Sequence, residues 1–208
     1  MKKVAAAKGK RSGADRLHAN DLHTNQFPLP VLPAARPFAR AGVVGPRLLA
    51  LIEHTNIAAR IAGDPLGLVH RYAEPLDREI VGLLAASVAY GRVGLFLPRL
   101  EALFDALGPA PGAAARDLPY KKLLHLCRDF NYRMTGPEEV ASLLAGAGQL
   151  VREHGSLGQA FTQMYRRAGE PSIRGALGLF VTALTTHDDF PSSRRLKHLL
   201  PHPSRGSA

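Results

Sequence analysis

The sequence has a single cysteine, Cys127, and no tryptophan. One cysteine excludes an internal disulfide and cannot form a thiolate metal site by itself. No apolar run approaches the roughly 18 residues that a membrane-spanning helix needs. The basic N-terminus is followed by a short apolar stretch at residues 4–7, whereas an export signal needs a longer apolar core. We therefore predict no membrane segment, no export signal and a cytoplasmic location.

Motifs of the common enzyme classes are also missing. The chain has no G-x-S-x-G nucleophile elbow, no Walker loop, no dinucleotide fingerprint and no H-E-x-x-H zinc motif. No catalytic centre is therefore recognised by motif, and we predict neither a cofactor nor a metal site. Whether the chain is an enzyme stays open on these grounds.

Alternating apolar and polar residues, the pattern of a half-buried strand, are absent, and helical spacing dominates from Gly45 onward. The pattern predicts one helix near 46–62 and a central helix near 76–90, which is apolar on most sides. Residues 108–116, rich in glycine, alanine and proline, read as a linker. The predicted fold class is all-α, a multi-helix bundle.

Local signals suggest where these helices begin and end. Asp64-Pro65 predicts the start of a short helix, and Thr135-Gly136-Pro137-Glu138 reads as a capping box that opens a helix to about residue 154. Ser156 and Ser172 are predicted N-caps. Gly91 is predicted to end the central helix, and Pro98 must lie in the first turn of the next helix or kink it.

The net charge of +10 is unevenly distributed. Residues 1–50 carry nine lysines and arginines against two acidic side chains, and residues 191–208 carry four against none. Residues 51–190 carry fourteen basic and fifteen acidic side chains. Basic flanks can bind DNA phosphates through counterion release, so DNA is the partner that they suggest. Solvation alone is the alternative, and we favour it for tails of this composition.

Composition divides the chain into three parts. Four prolines fall in the run F-P-L-P-V-L-P-A-A-R-P, and proline removes backbone donors and disfavours helix at the preceding residue. We predict a disordered or extended basic arm over 1–44, an all-helical domain over 45–190 and a basic tail over 191–208.

Two weaker patterns have simpler explanations. The run L-A-G-A-G at 144–148 mimics the hairpin by which helix-hairpin-helix proteins hold a phosphate, but it lies within a helical apolar stripe, so we favour a helix interior. His187-Asp188-Asp189 and the pair His198 and His202 contain metal-binding residue types. Adjacent residues point in different directions, and Pro201 and Pro203 on either side of His202 argue against a helix, so we favour a polar loop.

Three arginines lie at predicted helix ends close to a tyrosine: Arg71, Arg92 and Arg133. Such an arginine can bind a phosphate, or it can tie helix ends together through free carbonyls or a carboxylate, for which Asp77, Glu79 and Asp129 are candidates. Because residues 51–190 are nearly neutral, we favour the structural role. In the alternative, the candidate nucleic-acid-binding residues are Arg71, Tyr72, Tyr90, Gly91, Arg92 and Arg133.

Six short sequence motifs, called phrases below, follow one another in a characteristic order: D-P-L-x-x-V-H-R-Y (64–72), D-R-E-I (77–80), A-Y-G-R-V (89–93), N-Y-R-M (131–134), G-S-L (155–157) and H-L-L-P-H-P-S-R-G-S-A (198–208). Together they resemble a conserved bacterial family, a domain of unknown function, over about residues 48–208. Similarity to that family implies an all-helical fold distantly similar to the helix-hairpin-helix DNA glycosylases. All six candidate nucleic-acid-binding residues lie within these phrases, and the resemblance marks them as family positions of unknown role.

In that family the G-S-A phrase leads into a Cys-Lys-Arg segment, an aromatic helix and an Asp-x-His phrase. By analogy with glycosylases, a lysine and an aspartate there would act on a flipped base. No position of this chain matches them, so the resemblance implies a C-terminally truncated chain and carries over no catalytic residue.

Three hypotheses follow for function. The first is a truncated member of a DNA-glycosylase-like family without catalysis, in which exposed apolar surface would favour self-association. The second is a small helical module that binds nucleic acid or a protein through its basic flanks. The third is a structural protein that retains no activity.

Overall fold

The computed structural model describes residues 41–169, 173–186 and 196–205 of the chain. Contacts divide the chain into two compact units, Met1–Ala58 and Ala59–Ala208. The helices are α1 (Ala41–Glu53), α2 (Ile57–Ala62), α3 (Leu66–Val69), α4 (Pro75–Val88), α5 (Val93–Leu107), α6 (Pro111–Asp117), α7 (Tyr120–Leu126), α8 (Pro137–His154), α9 (Leu157–Ala168), α10 (Ile173–Thr185) and α11 (Leu196–Leu199), followed by a 3-10 helix, Pro203–Arg205.

The all-α prediction is confirmed over the described residues. They contain no strand, only one isolated antiparallel bridge between Tyr132 and Thr135. None of the described helices combines the length and apolar character needed to cross a membrane. Residues 1–40 of the predicted arm, residues 191–195 and 206–208 of the predicted tail, the predicted cap Ser172 and the group at 187–189 lie outside the described residues, and the three-part division stays a prediction.

The second unit is built around α8. Every residue from Glu139 to Gly148 is buried, and helices α4, α6, α7, α9, α10 and α11 all pack against α8. A helix that is apolar on nearly all sides belongs at the centre of a bundle. The prediction gave the central place to the helix expected near 76–90, which is α4 and buries one face that includes Ile80, Leu84 and Val88.

Small residues in α8 let another helix approach closely. A Cβ built on Gly148 would lie 1.8 Å from the Ala115 carbonyl oxygen of α6, so only a glycine fits at this contact. The L-A-G-A-G run forms a continuous part of α8, and the prediction of a helix interior is confirmed.

The predicted linker at 108–116 is wrong, because residues 111–117 form α6. Pro111 provides a helix-compatible first residue, and the backbone N–H of Gly112 donates to Asp77 Oδ1 of α4 at 2.7 Å. The carboxylate that satisfies this helix N-terminus comes from 35 residues earlier in the chain. No local sequence signal reveals such a cap.

Some predicted helix boundaries also need correction. The helix expected near 46–62 is two helices, α1 and α2, and it begins earlier than expected. Pro98 lies in the second turn of α5, so its missing N–H falls within the helix. The Glu139 carboxylate, not that of Glu138, accepts from the Gly136 N–H at 2.8 Å, so the capping box lies one residue later than predicted.

Two other predicted starts are confirmed. The Asp64 side chain accepts from the Leu66 N–H at 2.8 Å at the start of α3. Ser156 Oγ accepts from the Gln159 N–H at 3.0 Å and begins α9. In both cases a short polar side chain satisfies a free donor of the first turn.

Candidate functional site

The structure brings four of the six predicted site residues together. Tyr90, Gly91 and Arg92 form the corner between α4 and α5, and Arg133 lies in the tight turn between α7 and α8. The turn is closed by paired backbone hydrogen bonds between Tyr132 and Thr135, each 2.9 Å long. The corner and the turn are joined by the tyrosines.

Reciprocal hydrogen bonds lock the corner to the turn. Tyr132 Oη donates to the Tyr90 carbonyl at 2.5 Å, and Tyr90 Oη donates to the Tyr132 carbonyl at 3.1 Å. The Tyr90 hydroxyl also lies 2.7 Å from Thr135 Oγ1. The two rings pack with their centroids 5.1 Å apart. These tyrosines therefore hold two loops in one arrangement.

Gly91 and Arg133 are fitted to this arrangement. Gly91 has a φ of +85°, and a Cβ there would lie 2.6 Å from Tyr132 Oη and 2.8 Å from an Arg133 guanidinium nitrogen. Arg133 itself has a φ of +54°, unlike every other described residue that is not glycine. Its guanidinium lies 5.7 Å from the centre of the Tyr132 ring, where a cation–π contact is favourable.

Arg71 and Tyr72 lie elsewhere, directly after α3. The Arg71 guanidinium pairs with Glu101 of α5 at 2.6 Å. The Tyr72 carbonyl accepts from Arg78 Nε at 2.6 Å, and burial of its ring raises the pKa of the phenol. Within the described residues, no contact joins this pair to Arg133. The six predicted residues therefore do not form one site.

The carboxylates of the D-R-E-I phrase are helix caps. Asp77 is buried and accepts from α6, and Glu79 accepts from the backbone N–H groups of Leu157 at 2.7 Å and Gly158 at 3.1 Å in α9. Carboxylates satisfy the free donors of a helix N-terminus and match its partial positive charge. Their expected role as partners of the arginines is wrong, because α6 and α9 already engage both.

Arg92 differs from the other two arginines. It is exposed at the start of α5, and within the described residues no hydrogen bond or ion pair involves its side chain. Arg71 has the ion pair and Arg133 the tyrosine contact. The structural role favoured from the sequence therefore has support for Arg71 and Arg133.

The histidine pair does not form a shared site. His202 Nδ1 lies 2.7 Å from Ser204 Oγ, and its Nε2 lies 3.1 Å from the Gly178 carbonyl oxygen. The ring of His198 packs edge-on against Tyr90. Among the residues that the structure describes, no three side chains of metal-binding type cluster together.

A larger feature was missed by the sequence analysis. The end of α6, the start of α7 and one side of α8 enclose a cleft of about 1170 Å³ that opens to solvent. We call it the basic cleft. Its lining residues are Arg116, Asp117, Leu118, Pro119, Tyr120, Lys121, Lys122, His125, Ala145 and Arg152. A signal was present in the adjacent lysines 121 and 122, but their partners in the cleft lie on other helices.

The charges of the basic cleft are poorly balanced. Asp117, the one acidic side chain in its lining, forms a two-pronged pair with Arg116, with both contacts at 2.8 Å. This hydrogen bonding to Arg116 lowers the pKa of Asp117, so the carboxylate stays ionised. The guanidinium of Arg152 donates to the Arg116 carbonyl oxygen. Lys121 and Lys122 are exposed, and no described acidic side chain pairs with either.

Over the part of the chain that the structure describes, the fold is all-helical and carries a cleft lined mainly by cationic side chains. The chain belongs to the family described as "Protein of unknown function (DUF2400)", whose family model matches residues 64–208. The family resemblance inferred from the ordered phrases is thereby confirmed over that range. No curated protein and no solved structure matches the chain.

Proposed function

We propose that the protein is a nucleic-acid-binding module and that the basic cleft is its binding surface. The observation that carries the proposal is the pair of exposed lysines, Lys121 and Lys122, facing a cleft that they share with Arg116 and Arg152. Phosphate groups would neutralise these cations and release counterions, which is the main source of affinity for a nucleic-acid backbone.

Cations from three helices line the cleft. The Arg152 guanidinium donates to the backbone carbonyl of Arg116, and both residues belong to the lining. Lys121 and Lys122 lie in the first turn of α7, directly after Pro119. A run of anionic groups spaced along a backbone can contact both sets together.

The test compares two matched charge reversals in the full chain. Binding of a fluorescent oligonucleotide at low salt is measured for the unmodified protein, for Lys121→Glu with Lys122→Glu, and for Arg166→Glu with Arg167→Glu. The second pair is exposed in the last turn of α9 and lies outside the cleft. Both changes alter net charge by the same amount, so any difference between them reports position.

We expect the cleft variant to lose at least tenfold in affinity and to show a shallower dependence on salt, since it loses phosphate contacts. The control should lose much less. Absence of binding by the unmodified chain, or equal losses in both variants, contradicts the proposal. If polyglutamate binds as tightly as the oligonucleotide, the cleft recognises acidic protein surfaces instead, and the proposal is wrong.

The relation to DNA glycosylases belongs to the same proposal. It is supported by the helical fold, by the family phrases and by the cationic cleft, and it makes DNA the expected nucleic acid.

A further inference from the structure

The lining of the basic cleft includes apolar residues as well as cations. Leu118 and Pro119 connect α6 to α7, Tyr120 begins α7, and all three line the cleft together with Ala145 of α8. Phosphates alone would need no such surface. The cleft therefore combines an anion-binding rim with a surface suited to a flat apolar group.

Tyr120 supplies the aromatic part of that lining. Its ring is half-buried, packs at the edge of the hydrophobic core and lines the cleft. An aromatic ring that is already packed can contact a planar group without losing much side-chain freedom on binding. It lies directly before Lys121 and Lys122 in the chain, so an aromatic surface and two cations are contiguous.

Bases are available for stacking only when they are unpaired. A duplex presents phosphates and sugars on its outside, with base faces hidden in the stack, whereas a single strand exposes both. Aromatic side chains beside a cationic groove are the arrangement that single-strand-binding proteins use.

We propose that the basic cleft binds single-stranded nucleic acid, with a base stacked on Tyr120 and the adjoining phosphates held by Lys121, Lys122 and Arg152. This inference rests on the proposed nucleic-acid-binding function and specifies its ligand. It concerns recognition by strand state and requires no base sequence.

The experiment uses the full chain with an oligothymidine and with a hairpin duplex that has the same number of phosphates. Three variants are compared: Tyr120→Leu, which keeps an apolar side chain but removes the ring; Tyr120→Trp, which keeps a ring; and Tyr165→Leu, an exposed tyrosine of α9 outside the cleft. Thermal melting monitored by circular dichroism establishes that each variant is folded.

We expect the unmodified chain to prefer the single strand by at least tenfold. Tyr120→Leu should lose at least fivefold in affinity for oligothymidine and leave duplex binding unchanged, whereas Tyr165→Leu should change neither. Because the sequence has no tryptophan, Tyr120→Trp introduces a unique fluorophore, and stacking of thymine should quench its emission.

The outcomes separate the two proposals. If the duplex binds as well as the single strand, or if oligothymidine leaves the tryptophan emission unquenched, the single-strand inference is overturned while nucleic-acid binding stands. If neither ligand binds at low salt, the proposed function fails as well.

Discussion

Cys127 ends α7 with its side chain fully enclosed by the core. Burial raises the pKa of its thiol to about 12, because a thiolate would lose its hydration there. The thiolate is the reactive form, so the folded protein should resist thiol reagents at mildly alkaline pH and react once unfolded. Labelling with an aromatic disulfide reagent, with and without urea, checks this. Rapid labelling of the native protein would contradict the buried position.

The same thiol makes stability depend on pH. In the unfolded chain it ionises near its ordinary pKa, whereas the folded protein keeps it neutral, so rising pH favours unfolding above that pKa. We expect its contribution to fall by up to about 1.4 kcal/mol for each pH unit between roughly pH 9 and pH 12. Urea unfolding of the unmodified protein and of Cys127→Ala, measured from about pH 8 to pH 11, isolates this effect. A stability difference that is constant with pH would contradict it.

The motif residues show how much of the candidate site can be predicted from the sequence at the scale of single residues. A resemblance identified Gly91 and Arg133 as positions of interest, but their shared dependence on Tyr132 is a contact between segments about forty residues apart. Arg71 looked the same as Arg133 in the sequence, since each adjoins a tyrosine. Its partner Glu101 lies on another helix, and no spacing rule links the two.

Among the helices, α6 depends on a cap supplied by α4. Asp77 is buried, and its carboxylate accepts the Gly112 N–H. Asp77→Ala should lower the free energy of unfolding by about 1–3 kcal/mol, because a buried donor loses its partner. Asp105→Ala, at an exposed site on α5, is the matched control and should change stability by less than about 0.5 kcal/mol. Urea unfolding monitored by circular dichroism measures both, and equal effects would show that the cap is not important.

The contact between α6 and α8 gives a second prediction for the helices. A methyl group at Gly148 meets a backbone oxygen that cannot move without displacing α6, so Gly148→Ala should destabilise the protein by about 3 kcal/mol or more. In Gly82→Ala of α4 the new Cβ meets the Val69 side chain at 3.8 Å, an ordinary contact. That control should gain about 0.5–1 kcal/mol from helix propensity. Stabilisation by both substitutions would refute the close approach.

Helix existence was largely predictable because apolar periodicity and local caps encode it. Ser156 and Asp64 cap their own helices, and both starts were identified. The start of α6 was not, because its cap arrives from Asp77 across the fold. The predicted linker composition was real, yet packing against Gly148 and capping by a distant carboxylate together make it a helix.

For the molecule as a whole, the basic cleft could not be predicted from the net charge, because that charge is summed over a long segment. Residues 51–190 are nearly neutral in total, and that balance argued against a binding surface on the body. Folding separates the charges: Asp77 and Glu79 are consumed at helix ends, while Arg116 and Arg152 gather beside the two lysines. Net charge along a sequence therefore does not describe charge over a surface, and only the tertiary arrangement of α6, α7 and α8 reveals the cleft.

The hydrophobic core of the second unit extends, within the described residues, from Leu68 to Leu199. In the first unit, helix α1 has four large apolar side chains that are 53–62% exposed: Leu48, Leu49, Leu51 and Ile52. A chain that begins at Asn56 should therefore keep a cooperative melting transition, shifted by less than about 4 °C, which is the effect of about 1 kcal/mol in a domain of this size. Its binding of a hydrophobic dye should fall, because this apolar face is gone.

Leu144→Ala in the full chain calibrates that measurement. Leu144 is fully buried in α8, and its truncation should cost about 2–5 kcal/mol and lower the melting temperature well beyond the change seen in the shortened chain. Sedimentation of the full chain and of the chain that begins at Asn56 tests self-association. The apolar face of α1 would drive that association, so the shortened chain should not associate. If the shortened chain melts without cooperativity, the first 55 residues are needed for the folded state. If it still associates, another face drives the association.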